Sequence, residues 1–168
     1  APRIKIQNTK EYGADVILYD TFFENREKIG NAIKEKEYRS LIKPYDDIDV
    51  IAGQGTAGIE ISEDLQNLGK IPDIYLCCCG GGGLIAGTST YLQHKFPKLK
   101  SYSVEPEGFD DTKRSLENKK IIENLPNINS ICDALMAPKP GNITFPINLK
   151  NLEGGFSVTE NEVKKTII

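Results

Sequence analysis

Residues 77–87 read CCCGGGGLIAG: three cysteines run into four glycines before an apolar pattern resumes. Glycine loses more conformational freedom on folding than any other residue, so Gly80, Gly81, Gly82 and Gly83 in a row need a reason. The apolar DIYLCC just before them reads as a strand, and the residues after them, to about His94, read as a helix. A loop that leaves a parallel strand and opens a helix lies at the carboxyl edge of the sheet, where such folds bind ligands. Bare backbone there can aim several N–H groups at one anion, and the helix N-terminus adds positive potential. Each charge-assisted bond contributes about 1.5–3 kcal/mol, so several together would anchor a phosphate firmly.

The neighbouring residues narrow the kind of phosphate. Leu84 and Ile85 stand where a nucleoside-triphosphate loop needs Lys and Ser/Thr, which argues against that class. A dinucleotide loop is a closer rival. Gly81, Gly83 and Ala86 fit G-x-G-x-x-A with Glu105 at the end of the next strand, and Gly53, Gly55 and Gly58 fit G-x-G-x-x-G with Asp73 downstream. Two such matches in one chain lower the worth of each. Adjacent Cys77, Cys78 and Cys79 make neither a metal knuckle nor a disulfide framework; on a strand they alternate faces as small hydrophobes. With Cys132 they fit a reducing, cytoplasmic setting. His94 is the one histidine, in a polar QHKFPK stretch, and no Ser/His/Asp arrangement can be built around it.

The elements that must position the loop follow from periodicity and punctuation. Pro2 and Gly13 bracket a first helix; strands are expected at 15–20 and 40–45, with a charged helix at 24–37 between them. A helix over 55–69 stops at Gly69, the strand 73–78 and the glycines follow, then a strand at 100–106 and a helix near 111–118. A long irregular stretch holds Pro126, Pro138, Pro140 and Pro146; the FSV segment is strand-like, and Thr159 with Glu162 makes a capping box for a last helix ending in TII. This alternation predicts an α/β fold, a doubly wound parallel sheet, with a domain edge near 44–49. A net charge of −3 without a basic cluster argues against a nucleic-acid surface, and no apolar run approaches the ~20 residues of a membrane span. No signal-peptide-like leader is expected in these residues.

Five blocks carry a resemblance in order and spacing: VIAGQGTAGIEI (50–61), CGGGGLIAG (79–87), SVEPEGFDDTKRSLE (103–117), ICDALMAPKPGNITFPIN (131–148) and GGFSVTENEV (154–163). Together with APRIKIQNTKEYGADVILYD at the start, they make essentially the whole chain similar to the serine/threonine dehydratase (threonine ammonia-lyase) and serine racemase group. These are pyridoxal-phosphate enzymes of the tryptophan-synthase-β type, fold type II. The resemblance implies that Gly80, Gly81, Gly82, Gly83 and the Leu84 amide receive the 5′-phosphate of pyridoxal phosphate, with Ala134, in a D-A turn after Asp133, close to the cofactor. It also implies a Mg²⁺ or Ca²⁺ on the acidic turn, held by the Glu105 carboxylate, the Phe109 carbonyl and the Asp111 carboxylate. The alternative for that turn is a solvated acidic cap on the next helix, with Asp110 or Asp111 as N-cap.

The activity implied is dehydration and deamination of L-threonine or L-serine to a 2-oxo acid and ammonia. Amino-acid racemisation is the near alternative, and a catalytically silent phosphate- or dinucleotide-binding module the distant one. The partners implied are a small amino-acid substrate and, in the complete enzyme, further copies of the chain in a homodimer or higher homo-oligomer, with no nucleic acid and no membrane. No F-K-x-R-like context for a Schiff-base lysine occurs, so no catalytic residue is assigned. The match begins inside the family's small domain (1–46) and stops within the large cofactor-binding domain (47–168), so these residues are expected to be a middle part of a longer protein, partial in fold.

Overall fold

Pro2 starts the first helix and Gly13 follows its end, as expected: α1 spans Arg3–Glu11, with Gly13 at φ +85°. The computed structural model describes residues 2–20, 23–126 and 128–167. Helix α2, Arg26–Glu37, is capped by Asn25, whose side chain accepts from the N–H groups of Glu27 and Lys28 at 2.9 and 3.1 Å. These helices form a first unit, Ala1–Ile42. The strands expected at 15–20 and 40–45 do not form; residues 15–20 and 40–43 are irregular and 44–47 make a bend. Apolar alternation supplies the pattern of a strand but not a partner, and a strand without a paired neighbour leaves its backbone donors unsatisfied.

The second unit, Lys43–Ile168, holds the sheet. Its last residue, Ile168 at the end of the TII segment, lies outside the described residues. Helix α3 spans Ile48–Asn67 and stops before Gly69, at φ +62°. It begins earlier than the expected residue 55 because Asp47 caps it, accepting from Asp49 and Val50 N–H at 3.0 and 3.3 Å. Strand β1, Ile74–Cys78, leads through the glycines into α4, Gly83–Lys95; β2 follows at Lys100–Pro106 and α5 at Asp111–Asn118. A single 3₁₀ turn at Asp133–Leu135 precedes α6, Thr144–Asn151, then β3, Leu152–Val158, and α7, Glu160–Thr166, which carries the expected Thr159–Glu162 capping box. The strand FSV is thus only the end of a longer one.

The three strands run parallel in the order β1-β2-β3, with Cys77 opposite Ser103 and Ser103 opposite Gly155. Cys77 and Cys79 are buried with Ile85 of α4 and packed by Tyr75 and Leu152, while Cys78 points to the exposed face, as alternation requires. That second face also carries Ile74, Leu76 and Phe156, all exposed among the described residues. Helices α3 and α4 pack closely because glycine sits on both sides of the crossing. A Cβ on Gly58 would lie 3.0 Å from the Thr88 carbonyl, and one on Gly87 would run into the Ile51 carbonyl. No helix of the described residues is long and apolar enough to cross a membrane.

Helix α6 falls inside the stretch expected to be irregular. Pro146 is tolerated because it lies in the first turn, where backbone N–H groups have no intrahelical acceptor. The donors at this helix start are capped from far upstream: the Asp46 carboxylate accepts from the N–H groups of Asn142 (3.0 Å), Ile143 (2.7 Å) and Thr144 (3.3 Å).

Candidate functional site

The glycine run lies where β1 ends and α4 begins, at the carboxyl edge of the parallel sheet. Gly82 takes φ +90°, a conformation that side chains rarely adopt, and it turns the chain into the helix. The loop carbonyls are held by α6 and its approach. Thr144 Oγ1 donates to the Gly81 carbonyl at 2.7 Å and Gly141 N–H at 3.2 Å. Asn148 Nδ2 donates to the Gly82 carbonyl at 3.2 Å, and Ala86 N–H to the same oxygen at 3.0 Å. The N–H groups of Gly80, Gly81, Gly82, Gly83 and Leu84, by contrast, meet no acceptor among the described residues. Free donors opening a 13-residue helix make a site where negative charge is stabilised by direct bonds and by the helix dipole.

Each glycine also has a protein neighbour. A Cβ on Gly80 would lie 3.3 Å from the Ala134 carbonyl, so the structure brings Ala134 against the loop. A Cβ on Gly81 would enter the Tyr45 ring, and one on Gly83 would sit 2.9 Å from the Tyr45 Cβ. On Gly82 it would be 2.6 Å from Asn148 Nδ2. The bare backbone is therefore required by the protein's own packing, whatever approaches the loop from outside. Tyr45, Asp46, Thr144 and Asn148 are the residues that sequence reasoning missed. The signal available was the spacing of Thr144 and Asn148, four apart as on one helix face.

The acidic turn is built differently from a solvated cap. Glu105 is fully buried at the end of β2, and its carboxylate accepts from Thr112 N–H and Lys113 N–H, both at 2.8 Å, and from Ser103 Oγ at 3.4 Å. Glu105, rather than Asp110 or Asp111, is therefore the side chain that caps α5. Asp110 stands at the N-cap position without capping and pairs with Arg114 Nε at 3.1 Å. Asp111 is 1% exposed; its Oδ1 accepts from Asn124 Nδ2 at 2.6 Å, while its Oδ2 is buried without a partner among the described residues. Phe109 is buried beside them. Burial pushes Glu105 up to about 7, against the bonds from Lys113 and Thr112 and with repulsion from Asp111. Burial likewise pushes Asp111 up to about 6, opposed by Asn124. Both Glu105 oxygens already accept hydrogen bonds, so Asp111 Oδ2 is the carboxylate oxygen of this pair left open to a further partner.

The remaining sequence candidates separate from the site. Gly53, Gly55 and Gly58 lie inside α3, with Gly55 and Gly58 facing α4, so that dinucleotide match falls within a helix and forms no phosphate loop. Glu105 is committed to α5, which removes the acidic residue the other match needs for a ribose. Burial holds the Cys79 thiol well above its ordinary value, with Glu105 adding to the effect, so it is no nucleophile. His94 is exposed in the last turn of α4.

A parallel α/β sheet with unpaired loop amides at its carboxyl edge is the arrangement in which open α/β folds receive an anionic group at a helix N-terminus. Comparison with known proteins gives the family. The model described as "Pyridoxal-phosphate dependent enzyme" matches residues 1–168, and the chain belongs to that family. It is 39% identical over 165 residues to a serine racemase of Dictyostelium discoideum, covering 98% of this chain and 49% of that protein. It is 33% identical over 168 residues to an L-threonine ammonia-lyase of Thermotoga maritima, covering 100% and 41%. Among solved structures it matches a T.th. threonine deaminase with a TM-score of 0.89 and 36% identity, covering 96% of this chain and 52% of that one. The chain thus spans about half the length of the curated relatives it matches. The parallel α/β architecture and the type II fold expected from the sequence are those of these neighbours.

Proposed function

We propose that the whole protein carries out pyridoxal-phosphate-dependent dehydration and deamination of L-threonine or L-serine, yielding a 2-oxo acid and ammonia. The observation that carries this reading is the set of free N–H groups from Gly80 to Leu84, with the Gly81 and Gly82 carbonyls turned away onto α6. In this reading those amides hold the cofactor's phosphate, and Ala134, against Gly80, borders the cofactor. When bound, the cofactor supplies an electron sink for the charge left when a substrate loses its α-proton. These residues bind and orient; the proton transfers are assigned to none of them. Residues 1–46 belong to the small domain and 47–168 to the large one in this assignment, and the complete enzyme is a homodimer or higher homo-oligomer.

Racemisation of a small amino acid is the second reading, favoured by the 39% identity to a serine racemase. With it goes a Mg²⁺ or Ca²⁺ held by Glu105, the Phe109 carbonyl and Asp111, supported by the unpartnered, buried Asp111 Oδ2. The test is to load the full-length protein with pyridoxal phosphate and supply L-threonine and L-serine. Release of 2-oxo acid and ammonia supports the dehydratase; accumulation of D-serine instead supports the racemase. Absence of both products, with no cofactor bound, would overturn both readings.

A further inference from the structure

Tyr45 is half-buried and sits on the glycine loop: its ring fills the space of a Cβ at Gly81, and its own Cβ and carbonyl lie 2.9 and 3.0 Å from the Cβ position of Gly83. Thr144 and Asn148 press on Gly82 from another side, and Ala134 with Leu135 faces Gly80. The loop is therefore gripped in alternation, Gly81 and Gly83 by Tyr45 and Gly82 by α6. The bonds from Thr144 and Asn148 fix two carbonyls, but a glycine peptide remains free to swing about its own φ and ψ unless something blocks it. At Gly81 the block is the Tyr45 ring. The next residue, Asp46, is pinned by three amides at the start of α6, which leaves Tyr45 little freedom to lift off.

We propose that Tyr45 is a positioning residue for the cofactor phosphate, its ring setting the direction of the loop's free N–H groups. The proposal rests on the reading of the loop as the phosphate site. What it requires of Tyr45 at Gly81 is the ring, whose carbons make the contact.

The test compares Tyr45→Phe and Tyr45→Ala in the full-length protein, by titration with pyridoxal phosphate and by the ³¹P resonance of the bound cofactor. The phenylalanine variant, which keeps the ring carbons against Gly81, should stay much closer to the parent than the alanine variant in both. The alanine variant should bind about tenfold more weakly or worse, with a shifted or broadened ³¹P signal, while its cofactor-free melting temperature stays near the parent's. Should Tyr45→Ala fail to fold, Tyr45→Leu is measured in its place. A second arm uses Gly81→Ala: it should be damaging with Tyr45 present and add little once Tyr45 is alanine, because the clash then has no partner. Parent-like affinity and ³¹P signal in the ring-deleted variant, or additive effects in the second arm, overturn the role given to Tyr45. Failure of the parent protein itself to bind pyridoxal phosphate overturns the cofactor reading instead.

Discussion

Thr144 Oγ1 donates to the Gly81 carbonyl across 2.7 Å, joining the first residue of α6 to the middle of the glycine loop, 63 positions away in sequence. Both residues are buried, and among the described residues the other donor to that carbonyl is Gly141 N–H, at 3.2 Å. Replacing Thr144 by valine keeps the shape and removes the donor. Thr144→Val should lower stability by about 1–3 kcal/mol, the cost of a buried acceptor that loses a partner. It should also weaken cofactor binding, because the Gly81 peptide is then less well fixed. Denaturant unfolding and pyridoxal-phosphate titration of the full-length protein measure the two effects; a variant equal to the parent in both would show that the bond is idle.

Asp46 acts at the same end of this helix, on its backbone. Its carboxylate serves three consecutive amides, so Asp46→Ala should cost about 0.5–2 kcal/mol as a lost helix cap. The α2 cap offers a control: Asn25→Ala removes a comparable cap on a helix of the first unit. Both should lower the melting temperature, and only Asp46→Ala should lower cofactor affinity with it.

The buried Asp111 Oδ2 is the clearest unsatisfied atom in the acidic turn. If Glu105, Phe109 and Asp111 hold a cation, Mg²⁺ or Ca²⁺ should raise the melting temperature of the full-length protein. Asp111→Asn should remove most of that rise while leaving pyridoxal phosphate bound. Equal rises in parent and variant would return the turn to a purely structural role, with Glu105 as the α5 cap.

Not every glycine here is a close approach. Gly53 lies in the interior of α3 with nothing within 4 Å of a Cβ placed on it. Glycine in a helix interior is less stable than alanine by roughly 0.5–1 kcal/mol, so Gly53→Ala should stabilise by about that amount. Chemical denaturation reads the sign directly. A loss of stability would mean that the face of α3 carrying Gly53 is covered in the full-length protein.

The parts of the fold legible in the sequence are those with local punctuation. The strand, glycine turn and helix at 74–95 are bounded by Asp73 and Gly80–Gly83, and the Thr159–Glu162 box announces α7. What depends on distant partners is not legible. The segments at 15–20 and 40–45 have strand-like composition but pair with no strand among the described residues. Helix α6 hides behind its prolines because its cap, Asp46, stands 96 residues before the first amide it serves. The start of α3 is masked by Gly53 and Gly55, poor helix formers of which only Gly55 packs on α4. At the site the same division holds. The free amides follow from the glycine run, whereas the carbonyl bonds and the Tyr45 contact depend on the folded chain.

Gly82 is where the loop's conformation, its packing and the proposed phosphate contact meet. Its φ of +90° is open to glycine and strained for other residues, at a cost of about 1–3 kcal/mol. A Cβ there would also stand 2.6 Å from Asn148 Nδ2 and 3.1 Å from Thr144 Oγ1, both buried. The sheet-edge position alone suggests that Gly82→Val should spare the fold and affect only the phosphate. The buried neighbours change that expectation: the variant should melt earlier than the parent even without cofactor. Its affinity for pyridoxal phosphate should fall further still, since misdirecting two amides removes about 3–6 kcal/mol of charge-assisted bonding. Gly82→Val combined with Asn148→Ala separates the two effects. Relief of the clash should restore part of the melting temperature, while the strained φ keeps the amides misaligned and the affinity low. Should the double variant recover full affinity, the Asn148 clash and not the φ of Gly82 limits phosphate binding; should the single variant bind as tightly as the parent, the glycine loop is not the phosphate site.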